Sequence, residues 1–217
     1  MDAATVVFGR DGFAAAKVGD IARAGGVSVG TIYNYVEGKD GLLLLTVVHA
    51  FGGLGDVVDF PVPTPDRAEL VGRLTALLDA GVRVTSLEKA LRSRRRPSAT
   101  GFRDIVAELY DLIATTRLGA DALERCASEI PELATVFYDH VRRGVLDQLS
   151  RYVARRPSAS VAPDLVARYV VETLTWFARH RHHDLGASNL DDDEARAAAI
   201  DLTVTAVFGA VAEPHAQ

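Results

Sequence analysis

The 217-residue chain has one cysteine, one tryptophan and no long hydrophobic run. With Cys126 alone no intramolecular disulfide can form, which fits a reducing cytoplasm. The longest apolar run, Leu42 to Val48, is interrupted by Thr46 and falls far short of the ~20 residues a membrane span needs. No basic start followed by an apolar core and a small-residue cleavage site is present, so no secretion signal is expected. Positive charge is not in excess either. The formal net charge is −5, and residues 1–50 carry four Lys/Arg against five Asp/Glu. Any contact with a polyanion must therefore come from a few well-placed groups and not from a positive field. GxSxG, HExxH, P-loop and GxGxxG patterns are all missing, and His49, His140 and His215 stand isolated in sequence. No enzyme, cofactor or metal site is expected.

What is there reads as helix. Hydrophobic residues make up 48% of the chain and charged residues 24%, an ordinary globular balance. Apolar residues recur at three- and four-residue steps through Leu70, Leu74, Leu77 and Leu78, through Ile105, Leu109, Leu112 and Ile113, and through Leu133, Val136, Phe137 and Val141. The stepping returns through Val166, Tyr169, Val170, Leu174 and Phe177, and through Ile200, Val204, Val207, Phe208 and Val211. Each is the face of an amphipathic helix, and the fold class is all-α. Breaks are expected at Gly52–Gly55, at Pro61–Pro65 before an Asp66 N-cap, at Pro97–Gly101 and at Pro157–Pro163. Pro131 suits the first turn of a helix, and Asp191–Glu194 the start of the last one.

The first fifty residues compress short helices. Asp2–Gly9 forms one, with Ala4 and Phe8 on one face, and Gly12 turns the chain. A second runs from about Val18 to Ala24 and buries Ile21 and Ala22. Gly25-Gly26 supplies a tight turn, Val27 is expected to plug the core, and Ser28 caps a third helix reaching about Val36. Two short helices joined by a glycine turn form a helix-turn-helix, whose second helix enters the DNA major groove. Nine residues rise only ~13 Å, about the width of that groove. With Ile32 and Val36 facing inward, Val29, Gly30, Thr31, Tyr33, Asn34 and Tyr35 are left for the outer surface. Small Val29 and Gly30 allow close approach to base edges, and Thr31 can bond a base or pack its methyl on thymine. Tyr33, Tyr35, Lys39 and Lys17 suit phosphate oxygens, which fix register without carrying sequence.

The run "FGRDGFAAAKVGDIARAGGVSVGTIYNYVEGKDGLL" strongly resembles the DNA-binding domain of the tetracycline-repressor (TetR-type) transcriptional regulators. The match rests on Phe8, Gly12-Phe13, Asp20-Ile21-Ala22, Gly26-Val27-Ser28, Gly30-Thr31-Ile32-Tyr33, Tyr35, Lys39 and Leu42. The resemblance implies a helix-turn-helix domain over residues 1–46 and a helical ligand-binding and dimerisation domain over 47–217. It also implies a homodimer on double-stranded DNA, released by a small-molecule effector. "WFARHRHHDLG" and "DDDEARAAAI" look like the penultimate and last helices of such regulators, where the dimer forms, and "IPELATVFYDHVR" is similarly familiar. The chain departs from the pattern in three places. It starts inside the first helix, lacks a hydroxyl cap near Ala16-Lys17, and has Val36 where phenylalanine is usual. The second reading is a dimeric small-molecule-binding or adaptor protein with little DNA affinity.

Other clusters have plainer explanations. His180-Arg181-His182-His183-Asp184 has imidazole and carboxylate for a metal, but no distant ligand completes a set, and a polar helix end is preferred. Arg92–Arg96 is expected to neutralise a helix C-terminus, and Asp191–Glu194 to cap an N-terminus. Tyr110, Arg117, Phe137, Tyr138, Tyr152 and Trp176 are the candidates for lining an effector pocket, each also suited to ordinary core or interface.

Overall fold

A computed structural model describes residues 1–51, 60–156, 161–186 and 190–209. The expected Gly52–Gly55 break, most of the Pro157–Pro163 loop and His215 lie outside the described residues. The helices are α1 (Asp2–Ala15), α2 (Val18–Ala24), α3 (Val29–Tyr33), α4 (Lys39–Ala50), α5 (Arg67–Gly81), α6 (Thr85–Arg92) and α7 (Ala99–Ala127). They continue with α8 (Pro131–Thr135), a π-helical stretch (Val136–Arg143), α9 (Gly144–Val153), α10 (Pro163–Ala178), a 3-10 turn (His180–His183) and α11 (Asp192–Phe208). The fold is all-α. Among the described residues the one β-type pairing is an isolated bridge between Val36 and Val62, and no helix is long and apolar enough to cross a membrane.

The chain gathers into two compact units. One comprises Met1–Arg83 with Thr116–Arg143, and so contains the whole of the expected 1–46 domain; the other comprises Val84–Thr115 with Gly144–Gln217. In the first unit α1 packs on α2 and α4, α2 on α3, α4 on α5, and α5 on the π-helical stretch. Phe8, Leu43, Leu70, Leu74, Leu78, Leu123 and Leu133 are fully buried at its centre. Burying each such side chain contributes roughly 1.5–3 kcal/mol. Gly119 lets α7 come against the end of α4, because a Cβ there would overlap Ala50.

In the second unit α9 packs on α6 and α10, and α10 on α11. Phe102 sits at its centre, stacked on Tyr152 at 6.2 Å and tilted against Phe208 at 5.1 Å. Leu165, Tyr169 and Trp176 stay exposed along α10, and Leu202 along α11.

Helix ends follow the expected chemistry with three exceptions. Asp66 accepts from the Glu69 amide at 2.8 Å, Asp191 from the Asp193 and Glu194 amides, and Pro131 and Pro163 occupy first turns. The first exception is α1, which does not stop at Gly9 but runs on to Ala15, with a kink at Gly12 (φ 78°). In the second, the loop before α7 runs from Ser93 to Ser98 and not from Pro97 to Gly101, because α6 ends at Arg92 and Ser98 Oγ, accepting from the Gly101 amide, starts the next helix at Ala99. The third concerns Arg92–Arg96. Arg155, in the turn after α9, donates to the carbonyls of Ala90 (3.0 Å), Leu91 (3.4 Å) and Ser93 (2.7 Å), so it takes the helix-end role expected of that run.

Candidate nucleic-acid interface

The turn between α2 and α3 is built from its glycines. Gly26 adopts φ 64°, its amide donates to Arg23 O at 3.2 Å, and the Val27 amide reaches back to Ala22 O at 3.0 Å. This paired closure of a helix C-terminus needs a left-handed residue, which costs a non-glycine roughly 1–2 kcal/mol. Val27 does not plug the core: it is 45% exposed. With the Schellman-type turn already closed by backbone bonds, the chain reverses without an apolar plug, and Val27 is left at the surface.

Ser28 caps α3. Its Oγ accepts from the Thr31 amide at 3.0 Å and lies 2.9 Å from the Thr31 hydroxyl. Ile32 and Val36 are buried, while Val29, Tyr33 and Tyr35 stand about half exposed, and Gly30 and Asn34 are exposed as well. The regular helix is shorter than the sequence suggests. It ends at Tyr33, although the Tyr35 and Val36 amides still donate to Ile32 O. The chain is then drawn out straight, because Val62 donates to Tyr35 O at 2.8 Å and accepts from the Glu37 amide at 2.9 Å. Tyr35 thus lies in the turn just after α3, edge-on to Phe60 at 5.4 Å. Gly30 is informative because nothing inside the protein demands it: an added Cβ would meet only Ser28 Oγ at 3.6 Å.

Lys17 is the exposed N-cap residue of α2 and makes no side-chain capping bond, in keeping with the missing hydroxyl at that position. Lys39 starts α4, and its ammonium donates to Ala14 O at 3.2 Å and Ala16 O at 3.1 Å while lying 4.6 Å over the Phe13 ring. Nearby charges are largely paired. Arg10 grips Asp11 through two bonds and lowers its pKa, and Arg23 holds Asp20 at 2.8 Å. His49, isolated in sequence, lies 3.0 Å from Asp2 and holds that carboxyl below its usual range by hydrogen bonding and charge. An apolar recess of about 340 Å³ opens beside α3 between Ile21, Gly25, Val27, Tyr35 and Phe60; none of the six effector-pocket candidates lines it.

Those candidates fall into separate settings. Arg117, Phe137 and Tyr138 belong to the first unit, and Tyr110, Tyr152 and Trp176 to the second. Phe137 is buried edge-on to Tyr138, whose hydroxyl lies 3.0 Å from a Glu124 carboxylate oxygen. Tyr110 and Tyr152 are buried, and burial pushes the Tyr152 phenol up. Trp176 meets Phe177 edge-on at 4.9 Å. Among the described residues no three His, Cys, Asp or Glu side chains gather as metal ligands. In the histidine-rich segment it is Arg181 that is buried, tied to Phe177 O, Leu190 O and the Asp192 carboxylate.

Sequence reasoning missed Val62, Phe60 and Glu129, which accepts from the Ala14 amide at 2.5 Å. All three meet this region from far along the chain, and no local pattern marks them.

Residues 1–45 match the family model of bacterial regulatory proteins, tetR family. No curated protein matches the sequence. Among solved structures, one assigned to the tetR-family transcriptional regulators, from Mesorhizobium loti MAFF303099, is similar with a TM-score of 0.53 and 14% identity. The likeness covers 95% of this chain and 91% of that one. At that identity it speaks for the fold.

Proposed function

We propose that this chain, a tetR-family regulator by its helix-turn-helix domain, is a ligand-responsive repressor that binds a pseudo-palindromic operator as a homodimer. The observation that carries the reading is the outer surface of α3 and the turn after it. Val29, Gly30, Tyr33, Asn34 and Tyr35 are presented to solvent by a helix whose cap and inward side chains are otherwise satisfied. In this reading residues 1–46 bind DNA, and α3 enters the major groove with Gly30 and Thr31 toward base edges. Tyr33, Tyr35 and Lys17 meet phosphates, and Lys39 meets one with whatever donor capacity its two carbonyls leave.

Dimerisation draws support from α10 and α11. Leu165, Tyr169 and Trp176 recur at four- and seven-residue spacing on the exposed side of α10, which packs on α11, where Leu202 is exposed as well. Such a face is covered when a second copy packs its own α10 and α11 against it. Two-fold symmetry then sets two half-sites about one helical turn, ~34–36 Å, apart or a multiple of it. The effector is an unidentified small molecule bound by residues of 47–217. It lowers DNA affinity only by as much as it prefers a dimer with the wrong spacing.

The test is selection from a random duplex DNA library at moderate salt, with Tyr33→Ala run in parallel. Enrichment of an inverted repeat by the wild type and its loss in the variant supports the repressor. No enrichment at any salt favours a dimeric binding or adaptor protein instead.

A further inference from the structure

The peptide of Ala14, at the end of α1, is held on both sides by side chains of opposite charge. Its amide donates to Glu129 Oε2 at 2.5 Å, and its carbonyl accepts from Lys39 Nζ at 3.2 Å. The same ammonium reaches Ala16 O at 3.1 Å, across the short link to α2. Ala14 and Ala15 are exposed, while Phe13, Ala16 and Val18 on either side pack into the core. Polar ties hold the exposed stretch between them, and a carboxylate accepting a backbone amide is the stronger kind of hydrogen bond.

Glu129 is itself well anchored. It follows the last turn of α7, its amide donates to Cys126 O at 3.0 Å, and Arg125 lies 3.7 Å from its other carboxylate oxygen. Gly12 accommodates it twice over: its φ of 78° kinks α1, and a Cβ there would overlap the Glu129 carboxylate. Phe13 is clasped in the same joint, stacked on Phe8 at 6.3 Å and covered by the Lys39 cation.

We propose that Glu129 is a positioning residue for DNA binding: from the end of α7 it fixes the α1–α2 junction and thereby the orientation in which α2 and α3 meet DNA. The proposal rests on the DNA-binding reading above. It makes the turn after α7 one point at which a distant segment of the same compact unit acts on the helix-turn-helix.

The experiment compares wild type, Glu129→Ala and Glu129→Gln on the duplex enriched by the wild type, alongside hydrogen exchange of the Ala14 amide. Removing a negative charge near DNA would by itself raise affinity. Loss of positioning does the opposite, so the sign of the change separates the two. Glu129→Ala should weaken binding by about tenfold or more and speed Ala14 exchange, in line with a lost hydrogen bond to a charged group. Glu129→Gln keeps an acceptor oxygen and should stay within about threefold of wild type, a rescue that keeps the test valid if the alanine variant folds poorly. Equal or tighter binding by Glu129→Ala, or unchanged Ala14 exchange, overturns the proposal while the regulator reading stands. A wild type that enriches no duplex overturns both.

Discussion

Ser28 and Thr31 are joined twice: the Thr31 amide donates to Ser28 Oγ at 3.0 Å, and their hydroxyl oxygens lie 2.9 Å apart. The cap that starts α3 therefore also fixes the rotamer of the side chain expected to face a base. Ser28→Ala should cost about 1 kcal/mol of stability, as loss of an N-cap does. Thr31→Ala should shift base preference at one operator position, measured by repeating the duplex selection. Equal weakening on every sequence would remove Thr31 from base readout.

Gly30 separates stability from function. Its Cβ space is open and its conformation is helical, so Gly30→Ala should leave the melting temperature unchanged or raise it, by up to ~1 kcal/mol of stability. A methyl at that point should still hold the helix away from base edges and weaken operator binding. Binding as tight as wild type would place Gly30 outside the interface.

Cys126 should be inert. It is fully buried, and burial, reinforced by the Glu129 charge, pushes its thiol up to about 12. Alkylating reagents should label it only in denaturant, as mass spectrometry would record. The sign of the pH effect follows. An unfolded thiol ionises near ~8.5, so this contribution to stability is complete below that pH and declines as pH rises toward the folded value.

Glu108 caps α6 from a distance. Its carboxylate accepts from the Thr85 amide at 2.7 Å, the Ser86 amide at 2.8 Å and the Thr85 hydroxyl. Desolvation, the largest single influence, raises its pKa, but the bonds from Ser86 and Thr85 outweigh it and the net shift is downward. Glu108→Ala should cost roughly 1–2 kcal/mol by chemical denaturation. In the wild type that stabilisation is present above the carboxylate's unfolded pKa and is lost as pH falls through the lower folded value. Identical acid unfolding of the two proteins would contradict the cap.

The local features were legible because they rest on neighbours in sequence. The Ser28 cap, the Gly26 turn, buried Ile21 and Ile32, and the Asp66 and Asp191 caps each depend on residues within a turn of one another. What escaped depends on distant partners. Val62 cuts α3 short by bonding to Tyr35 and Glu37, Arg155 replaces the arginine run at the end of α6, and Glu129 reaches Ala14. Val27 was misjudged for a related reason: its apolar side chain suggests burial, but backbone bonds alone close the turn that holds it. The π-helical stretch after Thr135 likewise leaves no mark in the periodicity of Leu133, Val136 and Phe137.

In the proposed function α3 enters the major groove of operator DNA. Dimethyl sulfate probing of the enriched duplex tests it directly, since guanine N7 lies in the major groove and adenine N3 in the minor. Guanine N7 protection is expected in two clusters about one helical turn, or a multiple of it, apart, and is expected to be lost with Tyr33→Ala. Protection confined to adenine N3, or none at saturating protein, would contradict it.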